Sequence, residues 1–145
     1  MDELIEQMKV TLASTFAFYL KAHGFHWNVE GANFPQYHEF LGDLYEEAFG
    51  AVDPIAEHLR TLQSFAPASF ARYTDVSIVI DELNIPPAMS MMTKLLSDNQ
   101  MLIDQLTKTQ GLAEANKKMG LANFLQDRID AHEKHGWMLR SITKA

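Results

Sequence analysis

The sequence predicts an all-α fold: a four-helix bundle with a short helix in a long middle connection. Two observations carry this. Four long segments place apolar residues at helical spacing, and Gly31, the Pro86–Pro87 pair and Gly111 punctuate the chain between them. The first helix is expected over 2–28, where Leu4, Ile5, Met8, Leu12, Phe16 and Tyr19 share one face. Continuing that stripe reaches His23 and His26, so two imidazoles stand on an apolar face one turn before the helix stops. Asn33 is positioned to cap a second helix over 34–64, with Pro35 tolerated in its first turn. A linker with Pro67, Tyr73 and the run "VSIVI" follows and has room for one short helix. Pro86 and Pro87 open a third helix over 88–110, with Met92, Leu95, Leu96, Asn99, Leu102, Ile103 and Leu106 as its stripe. Beyond Gly111, a fourth helix over 115–142 carries Leu121, Leu125, Ile129 and Leu139 inward. One crossover among four helices follows from the single long connection.

Length and composition narrow the function. The 145 residues form one domain, 1–145, large enough to bury a core without staples. There is no cysteine, which excludes disulfides, thiolate zinc sites and cysteine nucleophiles. The opening residues MDELIEQ are acidic and polar, unlike a signal peptide. No apolar run approaches the ~18 residues of a membrane span, so a cytoplasmic protein is expected. The net charge is −7 with no basic tail or patch, and association with DNA is therefore not expected at physiological salt. An acidic balance serves solubility, or it supplies carboxylates that attract and hold cations.

The second helix carries candidate chemistry. At ~100° per residue, Glu39, Asp43, Glu46, Gly50, Asp53 and Glu57 fall within a band about 80° wide. Asp53 and Glu57 are one turn apart on that band. Like charges at this spacing repel, so the stripe is either a solvated face or a place for a counter-cation. Pro54 beside Asp53 removes the hydrogen bond to the Gly50 carbonyl, at about 3 kcal/mol, and predicts a kink at the carboxylate pair. Imidazole nitrogens combined with carboxylates suit iron, zinc or manganese better than calcium or magnesium.

The stretches "HWNVEGANFPQYHEF", "DPIAEHLRTL" and "HEKHGWMLR" together resemble the Dps family, the mini-ferritins, over nearly the whole chain. The resemblance implies a ferritin-like four-helix bundle assembled as a hollow homododecamer. It implies a two-metal ferroxidase site for iron in which His26 and His38 match the family histidines and Asp53 and Glu57 match its Asp and bridging Glu. The histidines would come from one subunit and the carboxylates from its two-fold partner. Trp27 matches the aromatic that takes up stray oxidising equivalents. Iron(II) would be oxidised by hydrogen peroxide or oxygen and kept as ferric mineral, which protects against oxidative damage. Glu39, Asp43, Glu46 and Glu47 would then line the inner wall.

The chain departs from the family at three places. Gly42 stands where many members carry Asp, His58 replaces a common Arg, and no Lys-rich extension is present. With Gly42 the second iron position is expected to be weak, and Gly42→Asp to strengthen it. His23 is assigned to packing or a supporting hydrogen bond. Asp127 and Asp130 would line an ion-entry pore or be simple solvated charges, and His132 and His135 are expected to pair at the surface rather than form a second metal site. The competing reading is a Dps-like shell for DNA protection, compaction or scaffolding with weak ferroxidase activity. A different di-iron enzyme would need Glu-x-x-His motifs on paired helices, and none occurs.

Overall fold

The computed structural model describes residues 1–144. It contains α1 (Asp2–Asn28), α2 (Phe34–Thr61), α3 (Phe70–Val76), α4 (Ala88–Ala115) and α5 (Met119–Thr143), with no strand among the described residues. The α1–α2 turn pivots on Gly31, whose φ of 122° suits a residue without Cβ. Asn33 is the N-cap of α2, but its side chain makes no capping bond; Pro35 occupies the first turn as expected. The helix continues unbroken through Pro54.

Two helix ends differ from their sequence expectation. Helix α2 stops at Thr61 rather than 64, and α4 runs through Gly111 to Ala115, so α5 begins at Met119 rather than 115. In both places the stop is a left-handed residue that is not glycine, Gln63 (φ 63°) and Lys117 (φ 59°). Each closes the same double bond pattern. Ser64 N–H donates to the Leu59 carbonyl (3.1 Å) and Gln63 N–H to that of Arg60 (2.9 Å). Lys118 N–H and Lys117 N–H donate to Ala113 and Glu114 (both 2.9 Å). These bonds satisfy carbonyls that would otherwise be orphaned at the helix ends. Gly111 needs no special conformation and lies in the helix with open space around it.

Contacts between helices set the topology. The Thr11 hydroxyl meets that of Thr109 (3.2 Å), while Lys21 pairs with Asp98 (2.7 Å), so α1 and α4 run antiparallel. Short turns make α1–α2 and α4–α5 antiparallel as well, which gives the order up, down, down, up. The connection 62–87 must therefore travel the length of the bundle. On the way α3 packs on α1, and the Ile78 N–H donates to the Ser14 hydroxyl (3.0 Å).

The core is divided. One apolar cluster gathers Phe18, Phe25, Leu41, Leu44, Met92, Leu95 and Leu139, and the other Leu4, Met8, Leu12, Ile55, Leu59, Leu106 and Leu125. Each such fully buried chain contributes about 2 kcal/mol. Polar side chains are buried alongside them: Thr11, Asn99, Gln105, Thr109, Arg128 and His132. The expected α1 stripe splits. Leu4, Met8 and Leu12 are fully buried, but Phe16, Tyr19, His23 and His26 are half-buried. Residues Phe18, Ala22 and Phe25 take the core instead. A helix packed on α2, α3 and α4 together needs a broad apolar face, and the aromatic stripe is its flank.

Candidate metal centre

His26 lies in the last turn of α1, and His38 follows the turn that starts α2. Their side chains cross. His26 Nδ1 donates to the His38 carbonyl (2.7 Å), and His38 Nδ1 donates to the His26 carbonyl (2.8 Å). A carbonyl only accepts, so each Nδ1 carries the proton, and the Nε2 of a neutral ring keeps a free lone pair. The His26 carbonyl is one of the four that α1 cannot satisfy internally, so His38 also caps that helix. The rings stack with centroids 3.8 Å apart at 16°, and Phe34 stacks on His38 at 5.0 Å. Both Nε2 atoms are thereby fixed by the backbone, the arrangement found for metal-ligating imidazoles.

Asp53 and Glu57 are exposed on α2, one turn apart, with no ion pair among the described residues. From His38 to Asp53 is fifteen residues of continuous helix, about 22 Å at 1.5 Å per residue. The four sequence-predicted ligands thus form two separate pairs. Among the described residues no three His, Asp or Glu side chains of the chain converge on one metal position. Glu39, Asp43, Glu46, Asp53 and Glu57 are all exposed, forming an acidic face along α2.

Gly42 lies against the imidazole. A Cβ there would stand 3.2 Å from His26 Cε1 and 3.4 Å from its Nδ1, inside the optimal carbon contact of about 3.5–4.0 Å. His23 is built into an aromatic seam. Its ring stacks on Tyr45 (3.7 Å, 7°) and lies 4.0 Å from Trp27, and its Nδ1 shares a 2.9 Å hydrogen bond with the Tyr19 hydroxyl. Burial, followed by the nearby His26, lowers the His23 pKa, and burial with Tyr45 raises that of the Tyr19 phenol. His23 therefore packs and bonds as expected. Trp27 is 60% exposed beside it. His58 faces Phe124 at 4.7 Å, and burial lowers its pKa despite the raising effect of Glu57. Asp127 and Asp130 are exposed.

His132 and His135 depart from expectation. They are buried rather than paired at the surface. His132 Nδ1 donates to the Asn99 amide oxygen (2.8 Å), while Asn99 Nδ2 donates to the His132 carbonyl (2.8 Å). His132 Nε2 then accepts from Arg128 Nη2 (3.2 Å). Arg128 grips both carboxylate oxygens of Glu47, and His135 Nε2 donates to Glu47 Oε1 (2.8 Å). Glu47 accordingly turns into the bundle and is no part of the acidic wall. Burial pushes its carboxyl upward, but hydrogen bonds from His135 and Arg128, and their charges, outweigh this and hold it well below the usual carboxylate range. Burial, reinforced by Arg128 and His135, keeps His132 neutral. The signal was present in the spacing: Arg128, His132 and His135 continue the face of Leu121, Leu125 and Leu139.

An up-down-down-up bundle with one crossover that travels its full length is the ferritin-like architecture. The ferritin-like domain family matches residues 5–145. Antigen TpF1 of Treponema pallidum is 31% identical over 143 residues, 98% of this chain and 81% of the relative. Its crystal structure superposes with a TM-score of 0.95 at 30% identity, covering 99% of this chain and 93% of that one. The DNA protection during starvation protein of Brevibacillus brevis is 31% identical, covering 90% of this chain and 88% of the relative. Dps of Vibrio cholerae O1, described as one of the ferritin-like diiron-carboxylate proteins, superposes with a TM-score of 0.94 at 26% identity over 99% and 90% of the two chains. The chain belongs to the Dps family of ferritin-like proteins. Among the described residues no helix is long and apolar enough to cross a membrane.

Proposed function

We propose that this protein is an iron-storing ferroxidase whose sites form between two copies of the chain within a homododecamer. One observation carries the reading. The chain holds two well-formed half-sites, the His26–His38 pair and the Asp53–Glu57 pair, about 22 Å apart on one continuous helix. Neither pair alone can hold a metal firmly, and no single chain can close one site from both. A second copy related by a two-fold axis can, because an isologous contact presents each pair to the other's counterpart.

In such a site the two Nε2 atoms offer neutral nitrogen donors whose direction the backbone has already set. Asp53 and Glu57 bring oxygen donors and the negative charge that draws iron(II) in. Iron(II) is the substrate. Each peroxide takes two electrons, one from each of a pair of iron(II) ions, and two protons, and leaves as water; oxygen serves as the alternative oxidant. The exposed carboxylates of α2 supply a surface on which ferric product collects. Trp27, exposed beside His26 and resting on His23, is placed to absorb an oxidising equivalent that escapes. Relatives named for DNA protection suggest a protective role. The net charge of −7 supports protection through the consumption of iron(II) and peroxide over protection through contact with phosphate. A shell with weak ferroxidase activity is favoured only by Gly42, which offers no ligand.

The test is co-assembly. His26→Ala and Asp53→Ala subunits are each expected to lack peroxide-dependent iron(II) oxidation when assembled alone. Mixed assemblies should regain part of it, at interfaces that unite an intact histidine pair with an intact carboxylate pair. Mixtures no more active than either variant, in particles with the native mass of twelve chains, would refute the shared site.

A further inference from the structure

Tyr19, His23 and Trp27 follow one another at four-residue spacing toward the end of α1, so their side chains lie along one face of the helix. The His23 ring joins the other two. Trp27 lies 4.0 Å from it between centroids, and the Tyr19 hydroxyl is 2.9 Å from its Nδ1. Tyr45 of α2 stacks flat on the same imidazole (3.7 Å, 7°) and stands 6.1 Å from Tyr19. The chain has no cysteine, which leaves indole and phenol as the side chains that give up a single electron most readily. A phenol that loses an electron must also shed its proton, because the oxidised form is a strong acid. Proximity of rings is therefore not enough. Among the described residues Tyr19 is the tyrosine whose hydroxyl meets a side-chain base.

We propose that Tyr19 and His23 form a redox pair that discharges an oxidised Trp27, with Tyr19 supplying the electron across the His23 ring and His23 Nδ1 taking the phenol proton. This rests on the reading of Trp27 as the residue that absorbs an escaped oxidising equivalent. Oxidised Trp27 has lost one electron and, at an exposed ring, its indole proton to water. Tyr19 gives it the electron and water returns the proton. In the same step the Tyr19 O–H bond breaks and an N–H bond forms on His23 Nδ1, whose lone pair accepts from the phenol while Nε2 carries the ring's own proton. The products are an intact indole, a phenoxyl radical and an imidazolium. A further iron(II) then gives one electron to the phenoxyl, Nδ1 returns its proton, and iron(III) is left. The oxidising equivalent thereby leaves a ring that is 60% exposed for one that is half-buried, and ends by consuming more of the substrate.

The test uses the assembled, metal-free, full-length protein carrying Trp137→Phe, so that Trp27 is its one indole. Pulse radiolysis in azide solution makes the azidyl radical, which oxidises indole in preference to phenol at neutral pH. Absorption then follows the indolyl radical as it converts to phenoxyl, at a rate expected to be independent of protein concentration. Tyr19→Phe keeps the ring and loses the hydroxyl, and should leave the indolyl radical with no phenoxyl formed. His23→Phe keeps a ring but no base, and should slow the conversion about a hundredfold, the lower end of what a positioned proton acceptor contributes. Tyr45→Phe should stay within about twofold of the parent rate. Conversion that survives in Tyr19→Phe, or is lost in Tyr45→Phe, would overturn Tyr19 as the donor. A rate for His23→Phe within about twofold of the parent would overturn His23 as the acceptor. Because azidyl replaces iron and peroxide, these outcomes judge the pair apart from the metal centre. After rapid mixing with iron(II) and peroxide and freezing, electron paramagnetic resonance should show a tyrosyl signal that Tyr19→Phe lacks. Conversion under radiolysis without that signal would overturn the metal centre as the source of the equivalent and leave the pair standing.

Discussion

Replacing Glu47 with Gln removes one negative charge from the middle of the bundle and keeps the shape. The Arg128 guanidinium, 7% exposed, then faces a neutral amide with no other carboxylate bonded to it. Breaking a fully buried pair by removing one partner costs about 3–5 kcal/mol. The Glu47 side chain is 37% exposed, so water screens part of the orphaned charge and the loss should fall to about 2 kcal/mol. For a chain of this length that corresponds to a melting temperature lower by about 4–8 °C. Differential scanning calorimetry at pH 7 measures it, with chain concentration held fixed because assembly shifts the transition by mass action. Adding Arg128→Met to Glu47→Gln removes the unpaired cation, and the double variant is expected to recover at least half of the loss. A melting temperature for Glu47→Gln within about 1 °C of the natural protein, or a double variant less stable than either single one, would refute the account of Arg128 as a charge neutralised by Glu47.

Two further outcomes follow from the same structure. His132 is buried and neutral in the folded protein, whereas the unfolded chain protonates it below about pH 6.5, so stability should fall as the pH drops from 7 toward 5. His23 and His58, also held low by burial, act in the same direction, and Glu47 adds a second loss below about pH 4.5, where the unfolded carboxyl takes a proton that the folded one refuses. Urea unfolding of His132→Gln across this range should show lower stability at pH 7 and a flatter slope below it; an unchanged slope would remove His132 from the explanation. Lys117→Gly relieves the left-handed conformation at the end of α4 and should add about 1 kcal/mol. An unchanged melting temperature in the calorimeter would mean that Lys117 carries no strain.

The helical architecture was readable from residues alone because it depends on local periodicity. Leu4, Met8 and Leu12 in α1, and Met92, Leu95, Leu102 and Leu106 in α4, are buried where their spacing puts them. Asp2–Asn28 has the expected bounds, and the long connection holds its short helix as α3. The helix ends at 61 and 115 were not readable in this way. Gln63 and Lys117 adopt a conformation that their residue types do not announce, and Gly111 carries a turn signal that its helix ignores.

The motif residues identified the family, since residue types at fixed spacing are a property of the chain itself. Spatial relations between helices are not. That His26 and His38 exchange bonds with each other's carbonyls depends on how the α1–α2 turn folds back at Gly31. That a Cβ at Gly42 would crowd His26 depends on the distance between two helices, which no spacing within either encodes. Glu47 stands next to the acidic band in the sequence and turns inward, where Arg128 and His135, more than eighty residues later, bind its carboxylate. Periodicity assigns a residue to a side of its helix. The neighbours packed against that side, which only the tertiary structure supplies, decide whether a carboxylate there meets solvent, a metal or a buried guanidinium.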